Sequence, residues 1–216
     1  MGRPRTPILS RASICEAALA IVDTEGLAGL SMRKLAARLG VQVASLYHHV
    51  TTKDEVLHEI GDAIMSSVDV SGFAAHDWRA GLARWARSYR AALRSHPNML
   101  PFLTAGPGRR ASALRRADAV HGALVDAGWP PRQATLIGAS IKYLVVGAAT
   151  TSFADGFDDD ALLYQDRYPH LTGAHRLRSV AAEIDEEAFG LLLDAFLDGL
   201  DARYAGLREV AGDHPG

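Results

Sequence analysis

The chain has 216 residues, 48% of them hydrophobic, and its 23 basic and 25 acidic side chains leave a formal net charge of −2. That is enough apolar material for a core in one or two domains, and no charge-free run reaches the ~18 residues that a membrane span needs. A single cysteine, Cys15, excludes an intramolecular disulfide, and the N-terminus lacks a signal-peptide layout, so a reducing cytoplasm is the expected setting, with no membrane partner.

In chain order, the first segment is GRPRTP, a proline-punctuated arm too short to fold. Its Arg3 and Arg5 suit a phosphate backbone or a minor groove. The arm also matches a myristoylation pattern formally, a reading its arginines and prolines disfavour. From Ser10, the residues Ile14, Ala18, Ile21 and Val22 keep helical spacing until Glu25-Gly26-Leu27. There glycine can adopt a left-handed cap with Leu27 folding back as its apolar partner. The stretch Ser31 to Val50, SMRKLAARLGVQVASLYHHV, reads as two short helices joined by a tight turn at Gly40. Leu35 and Leu39 give the first helix an inward stripe, and Leu46 and Val50 the second. Counting about 100° per residue from Leu46, the outward arc holds Ala44, Ser45, Tyr47 and His48, all small or able to exchange hydrogen bonds. Such a surface fits a major groove, where base edges present donors, acceptors and thymine methyls.

Thr52 and Glu55 have the T-x-x-E spacing of a capping box, so a linking helix is expected from Lys53 to Val68, with Lys53 placed to clamp a phosphate. Through Lys53 the basic residues are Arg3, Arg5, Arg11, Arg33, Lys34, Arg38 and Lys53, and the acidic ones Glu16, Asp23 and Glu25. This end is therefore +4 in a chain that is −2 overall, the charge segregation expected of a DNA-binding head.

The fold class is all-α. A helix from Asp77 to Ser95 carries Trp78, Leu82, Trp85, Tyr89 and Leu93 on one side, with Arg87, Arg90 and Arg94 on a different, solvated one, and His96-Pro97 stops it. Met99 to Leu103 is a short apolar segment, Gly106-Pro107-Gly108 a turn, and helices follow over 109–127 and from Pro130-Pro131 to about Ala154. Residues 155–173 read as an acidic surface loop with room for one helical turn. The last helix, Glu186 to about Arg208, has an apolar stripe broad enough for burial on two sides.

The run from Ser10 to about Ile60, with S-x-R-K-L-A, L-G-V, S-L-Y-x-H and a following lysine, resembles the DNA-binding domain of the TetR family of bacterial transcriptional regulators. The resemblance implies that Arg33, Val43, Ala44, Ser45, Tyr47, His48 and Lys53 lie at or near DNA, with Val43 offering methyl contact where some members carry a polar base reader. It also implies a division into a head and arm over 1–52, the linking helix 53–68, and a regulatory and dimerising body over 69–216 of the tetracycline-repressor type. Dimerisation is expected through the last helix, with Phe189, Leu193, Phe196, Leu197 and Leu200, together with the Ile137 to Val145 region, and a twofold dimer calls for a near-palindromic double-stranded operator. Trp85, Tyr89, Met99, Phe102, Leu103, Ile137 and Ile141 are the candidates to meet a small-molecule effector, although ordinary core packing competes for the same residues. Leu103 takes the place of a histidine that in tetracycline repressors helps hold a magnesium chelate, so an apolar or aromatic effector without metal is expected.

No catalytic or cofactor motif is present: there is no Gly-rich phosphate loop, no paired-cysteine spacing and no G-x-S-x-G. Asp158, Asp159, Asp160, His170 and His175 have metal-binding chemistry but match no ligand spacing, so neither metal nor cofactor is expected. Two functional classes remain, an effector-responsive repressor and a helical protein-interaction module without operator binding. A gel shift separates them.

Overall fold

The computed structural model describes residues 9–75, 77–105, 111–165 and 167–212. Arg3 and Arg5, the turn at 106–108 and the expected helix start at Arg109 lie outside the described residues. Ten α-helices occur among the described residues: α1 Arg11–Gly29, α2 Met32–Leu39, α3 Val43–Tyr47, α4 Lys53–Met65, α5 Trp78–Arg94, α6 Leu100–Thr104, α7 Ala111–Asp126, α8 Pro131–Thr150, α9 Ala161–Gln165 and α10 Ala181–Gly212. None of the helices so described is long and apolar enough to cross a membrane. The chain divides into two compact units, one running to Val68 and taking in Ala92–Arg116, the other made of Asp69–Ala91 and the residues from Ala117 onward.

In the first unit local chemistry sets the helix ends. Ser10 and Ser13 cap α1 reciprocally, Ser13 donating its amide to Ser10 Oγ (3.1 Å) and Ser10 its amide to Ser13 Oγ (2.9 Å). Gly26 turns out of the helix at φ 72°, a left-handed value that glycine adopts without a Cβ clash. Leu30 rather than Leu27 supplies the buried apolar residue at this corner, in the two-residue connection between α1 and α2. Ser31 Oγ caps α2, and Gly40 ends it at φ 67° with its amide returned to Ala36 and Ala37. Ile14, Ile21, Leu35, Leu46, Val56 and Ile60 form the shared core. The second short helix is only five residues long: Val50 is buried but lies beyond it, held by its amide on the Leu46 carbonyl (2.9 Å).

Ala92–Arg116 joins this unit through specific contacts. Asn98 Nδ2 donates to the carbonyls of Val22 (3.0 Å) and Asp23 (2.9 Å), His96 Nδ1 meets Asp23 Oδ1 (3.0 Å), and Phe102 packs edge-on against His58 at 5.1 Å. The apolar segment after His96 is a 3-10 turn, Pro97–Met99, leading into α6. The linking helix stops at Met65, earlier than Val68, because Ser66 and Ser67 turn their hydroxyls back onto the carbonyls of Ala63 and Ile64.

In the second unit, α5, α7, α8 and α10 contribute Leu82 and Ala86, Val120 and Leu124, Ile137, Ile141 and Val145, and Phe189, Leu193, Leu197 and Leu200 to one core. Trp78, Trp129 and Tyr204 close one end of it, with ring centroids 5.2–5.5 Å apart and the Tyr204 hydroxyl donating to the Ala127 carbonyl. The expected acidic loop carries α9 as its one helical turn, with the 3-10 turn Phe153–Gly156 overlapping its start and the 3-10 helix Ala174–Val180 following it. Its aspartates form the turns. Asp158 Oδ1 accepts from the Asp160 amide and Asp160 Oδ1 from the Leu162 amide, each at 2.9 Å, which launches α9. The last helix begins at Ala181, five residues before the expected start.

The expectation that Arg87, Arg90 and Arg94 share a solvated face needs correction at Arg90, which is 4% exposed. Its guanidinium pairs with Glu186, donates to the carbonyls of Asp185 (2.9 Å) and Ala148 (3.3 Å), and lies 4.5 Å above the Phe189 ring. Five fixed donors and a flat face let arginine satisfy all of these at once.

Candidate nucleic-acid interface

The reading element is α2, the Gly40 turn and α3. Leu46, fully buried, pins α3 from beneath. On the outer side Tyr47 is 50% exposed, Ala44 and His48 are exposed, and Val43 and Ser45 are half-buried. The structure therefore brings the five expected α3 residues onto one short segment with a solvent-facing edge. Arg33 is exposed on α2, while Lys34 pairs with Glu25.

Gln42 is an addition that periodicity misses. Counted as helical it would sit only about 40° from the buried Leu46. It is instead the extended N-cap of α3 (φ −76°, ψ 147°), it is exposed, and its side chain makes no capping bond. The signal for this was present in the spacing between Gly40 and Val43, which leaves two residues of turn.

Lys53 differs from the expectation of a side chain waiting for phosphate. It is half-buried, and its Nζ donates to the Leu27 carbonyl at 2.8 Å. The capping box at Thr52 is also shifted. Thr52 Oγ1 accepts from the Glu55 amide (3.0 Å), but the Glu55 carboxylate accepts the amide and hydroxyl of Thr51, both at 2.6 Å, rather than the Thr52 amide. Arg11 reaches the same carboxylate at 2.8 Å and also pairs with Glu59, tying α1 to α4.

The Thr51 hydrogen bonds, with help from Arg11, lower the Glu55 pKa from 4.5 to about 2. A carboxylate depressed in the folded state stabilises it fully above the unfolded pKa and loses that contribution as pH falls through the folded one. Glu55→Gln is thus expected to flatten the acid limb of head stability between pH 4.5 and about 2, as read by thermal unfolding against pH, and to change the limb little above that window. The Cys15 thiol moves the other way: burial raises its pKa, and its Sγ donates to Glu59 Oε2 at 3.3 Å.

The residues expected to meet an effector fall in both units. In the first, Met99 and Leu103 are buried in the core and Phe102 packs on His58. In the second, Ile137 and Ile141 are buried, while Trp85 and Tyr89 are half-buried and stacked with centroids 6.2 Å apart. Of the expected dimerisation residues, Phe189, Leu193, Leu197 and Leu200 are buried in the chain's own core and Phe196 is half-buried. The stripe these four residues share is the one α10 packs within its own chain. The large apolar side chains that α10 leaves in water are Leu191 (73% exposed) and Leu192 (56% exposed), with Leu136 and Tyr143 exposed on α8.

A helix-turn-helix head whose reading helix is pinned by Leu46 and shows Tyr47 and His48 to solvent defines a DNA-binding protein. Residues 14–60 match the family described as bacterial regulatory proteins, tetR family, and residues 74–204 match the tetracyclin repressor-like C-terminal domain. The chain is 31% identical to the tetracycline repressor protein class A from transposon 1721 of Escherichia coli, over 94% of this chain and 96% of that one. Among solved structures, a possible TetR family transcriptional regulator from Streptomyces coelicolor A3(2) superposes with a TM-score of 0.70 at 27% identity, covering 89% of this chain and 99% of that one. The TetR family protein ActR of Streptomyces coelicolor, solved in complex with (S)-DNPA, does so with a TM-score of 0.64 at 27% identity, over 90% and 98% of the two chains. The chain belongs to the TetR family: it is an all-α DNA-binding transcriptional regulator and not an enzyme.

Proposed function

We propose that the chain is a homodimeric repressor that holds a near-palindromic operator and releases it when a small apolar or aromatic effector binds. The observation that carries this is the exposed edge of α3, where Tyr47, His48 and Ala44 stand over a buried Leu46. Val43, Ser45 and Gln42 complete the base-facing set, and Arg33, with the arm residues Arg3 and Arg5, supplies phosphate contacts. Repression is supported by the relative named as a tetracycline repressor, and effector binding by the relative solved with a small molecule.

The two groups of residues fail in different ways. Tyr47→Ala and His48→Ala should erase preference for the operator over unrelated DNA, while Arg33→Ala should weaken both alike and lower the salt slope by about one. Gel shifts with the DNA upstream of its own gene, at several salt concentrations, make the comparison. An unchanged preference in both α3 variants would sink the assignment.

For the effector, the stacked Trp85 and Tyr89 are our candidates, and the family resemblance puts Leu103 in the place of the histidine that holds a chelate in tetracycline repressors. An effector acts only through different affinities for the operator-competent and operator-incompetent states. Operator release by an active compound from an aromatic library should therefore survive a chelator and be impaired in Tyr89→Ala. Release that strictly required magnesium would overturn the apolar reading.

A further inference from the structure

The geometry points to Lys53 as a positioning residue that fastens the start of α4 to the Gly26 corner of α1 and so sets the placement of the α2–α3 reading element before DNA arrives. The inference deepens the DNA-reading role proposed above and rests on it. Lys53 is the first residue of α4, where a cation opposes the helix dipole and is disfavoured. Asp54 and Glu55 in the same turn offset part of that charge, and one further contact holds the ammonium. It is the Leu27 carbonyl, one residue past the point where Gly26 leaves the helical conformation (φ 72°, ψ 177°), and the ammonium donates to it at 2.8 Å.

This bond spans 26 residues of sequence, and those residues are the reading element with its two connections. Leu27 stands five residues before α2 begins, and Lys53 six residues after α3 ends. One hydrogen bond thus closes both ends of the element onto each other. The buried Leu30 and the Lys34–Glu25 pair also hold the Gly26 corner, and the Lys53 bond adds the tie from it to the start of α4. An ammonium has three donors, so the bond to Leu27 leaves others for a phosphate, but the placement acts even without DNA.

The test compares Lys53→Met, which keeps the apolar stem and removes the donors, with Lys53→Arg, which retains them. In DNA-free full-length protein, Lys53→Met is expected to accelerate amide hydrogen exchange across residues 26–31 while exchange in α10 stays unchanged. On DNA it should lower the ratio of operator to non-specific affinity roughly tenfold, about what one misread base pair costs. Lys53→Arg should recover both. Unchanged exchange together with an equal loss of operator and non-specific binding would make Lys53 a phosphate contact only and overturn the proposal. Faster exchange with an unchanged affinity ratio would make the bond a stabilising one without positioning, and would overturn it too. If Lys53→Met fails to fold by circular dichroism, the ratio is read on folded Lys53→Arg instead, where a retained ratio supports positioning and a loss counts against positioning through this carbonyl. If instead Tyr47→Ala and His48→Ala leave the ratio untouched, the reading of α3 fails, and the exchange result in DNA-free protein still decides what Lys53 does.

Discussion

Replacing Leu191 and Leu192 together by Glu is expected to leave the chain folded but monomeric, whereas Leu193→Glu alone is expected to unfold the second unit. The three residues are consecutive on α10, but Leu191 and Leu192 face water in the single chain and Leu193 is 0% exposed. Large apolar side chains left in solvent on one helix, with Leu136 and Tyr143 exposed on α8, are the surface we propose a second copy covers. Two glutamates there place like charges across a twofold axis, which the dimer cannot accommodate. Losing the second head should weaken operator binding about 100-fold or more, since the paired half-site no longer binds at a high effective concentration. A carboxylate at Leu193 instead enters the core, at a cost of about 4 kcal/mol or more, a large share of a typical domain's stability. Light scattering, circular dichroism and gel shifts together distinguish these outcomes. Dimers that survive the double substitution would move the interface elsewhere.

Arg90→Met should be among the most destabilising single changes in the second unit, and Glu186→Gln nearly silent, although the two residues form one ion pair. The asymmetry comes from burial: the Arg90 side chain is 5% exposed and that of Glu186 71%. Removing the guanidinium takes a charged donor from the half-buried Ala148 and Asp185 carbonyls and removes the cation from the Phe189 ring. We expect a loss of roughly 2–3 kcal/mol, from the hydrogen bonds to a charged donor that are lost. Removing the Glu186 charge leaves Arg90 with both carbonyls and the ring, and an exposed partner contributes only ~1 kcal/mol or less. Denaturant unfolding of the two variants checks this; equal losses would mean that the ion pair, and not the carbonyls, holds α5 to α8 and α10.

Much of the head was legible in the sequence because its determinants are local. The caps at Ser31 and Gly40, the left-handed Gly26 and the buried Leu35 and Leu46 follow from residues three or four apart, and such neighbours meet whatever the rest of the chain does. Helix content and the alternation of apolar stripes in the body follow for the same reason. What only the tertiary structure decided are choices among partners far apart in sequence. The apolar surface of α10 reads as one wide stripe, and only packing against α5 and α8 assigns Leu193 and Leu197 to the chain's own core and leaves Leu191 and Leu192 outside. Arg90 reads as a solvated charge until carbonyls 58 and 95 residues away turn it inward. Lys53 finds Leu27, and the segment from Ala92 to Arg116 joins the head through Asn98 and Phe102 although it follows most of α5 in the chain. Periodicity specifies which face of a helix is apolar. It carries no information on which of several apolar or charged surfaces will meet, because that depends on how long segments close on one another and on which pairings leave no buried polar group unsatisfied.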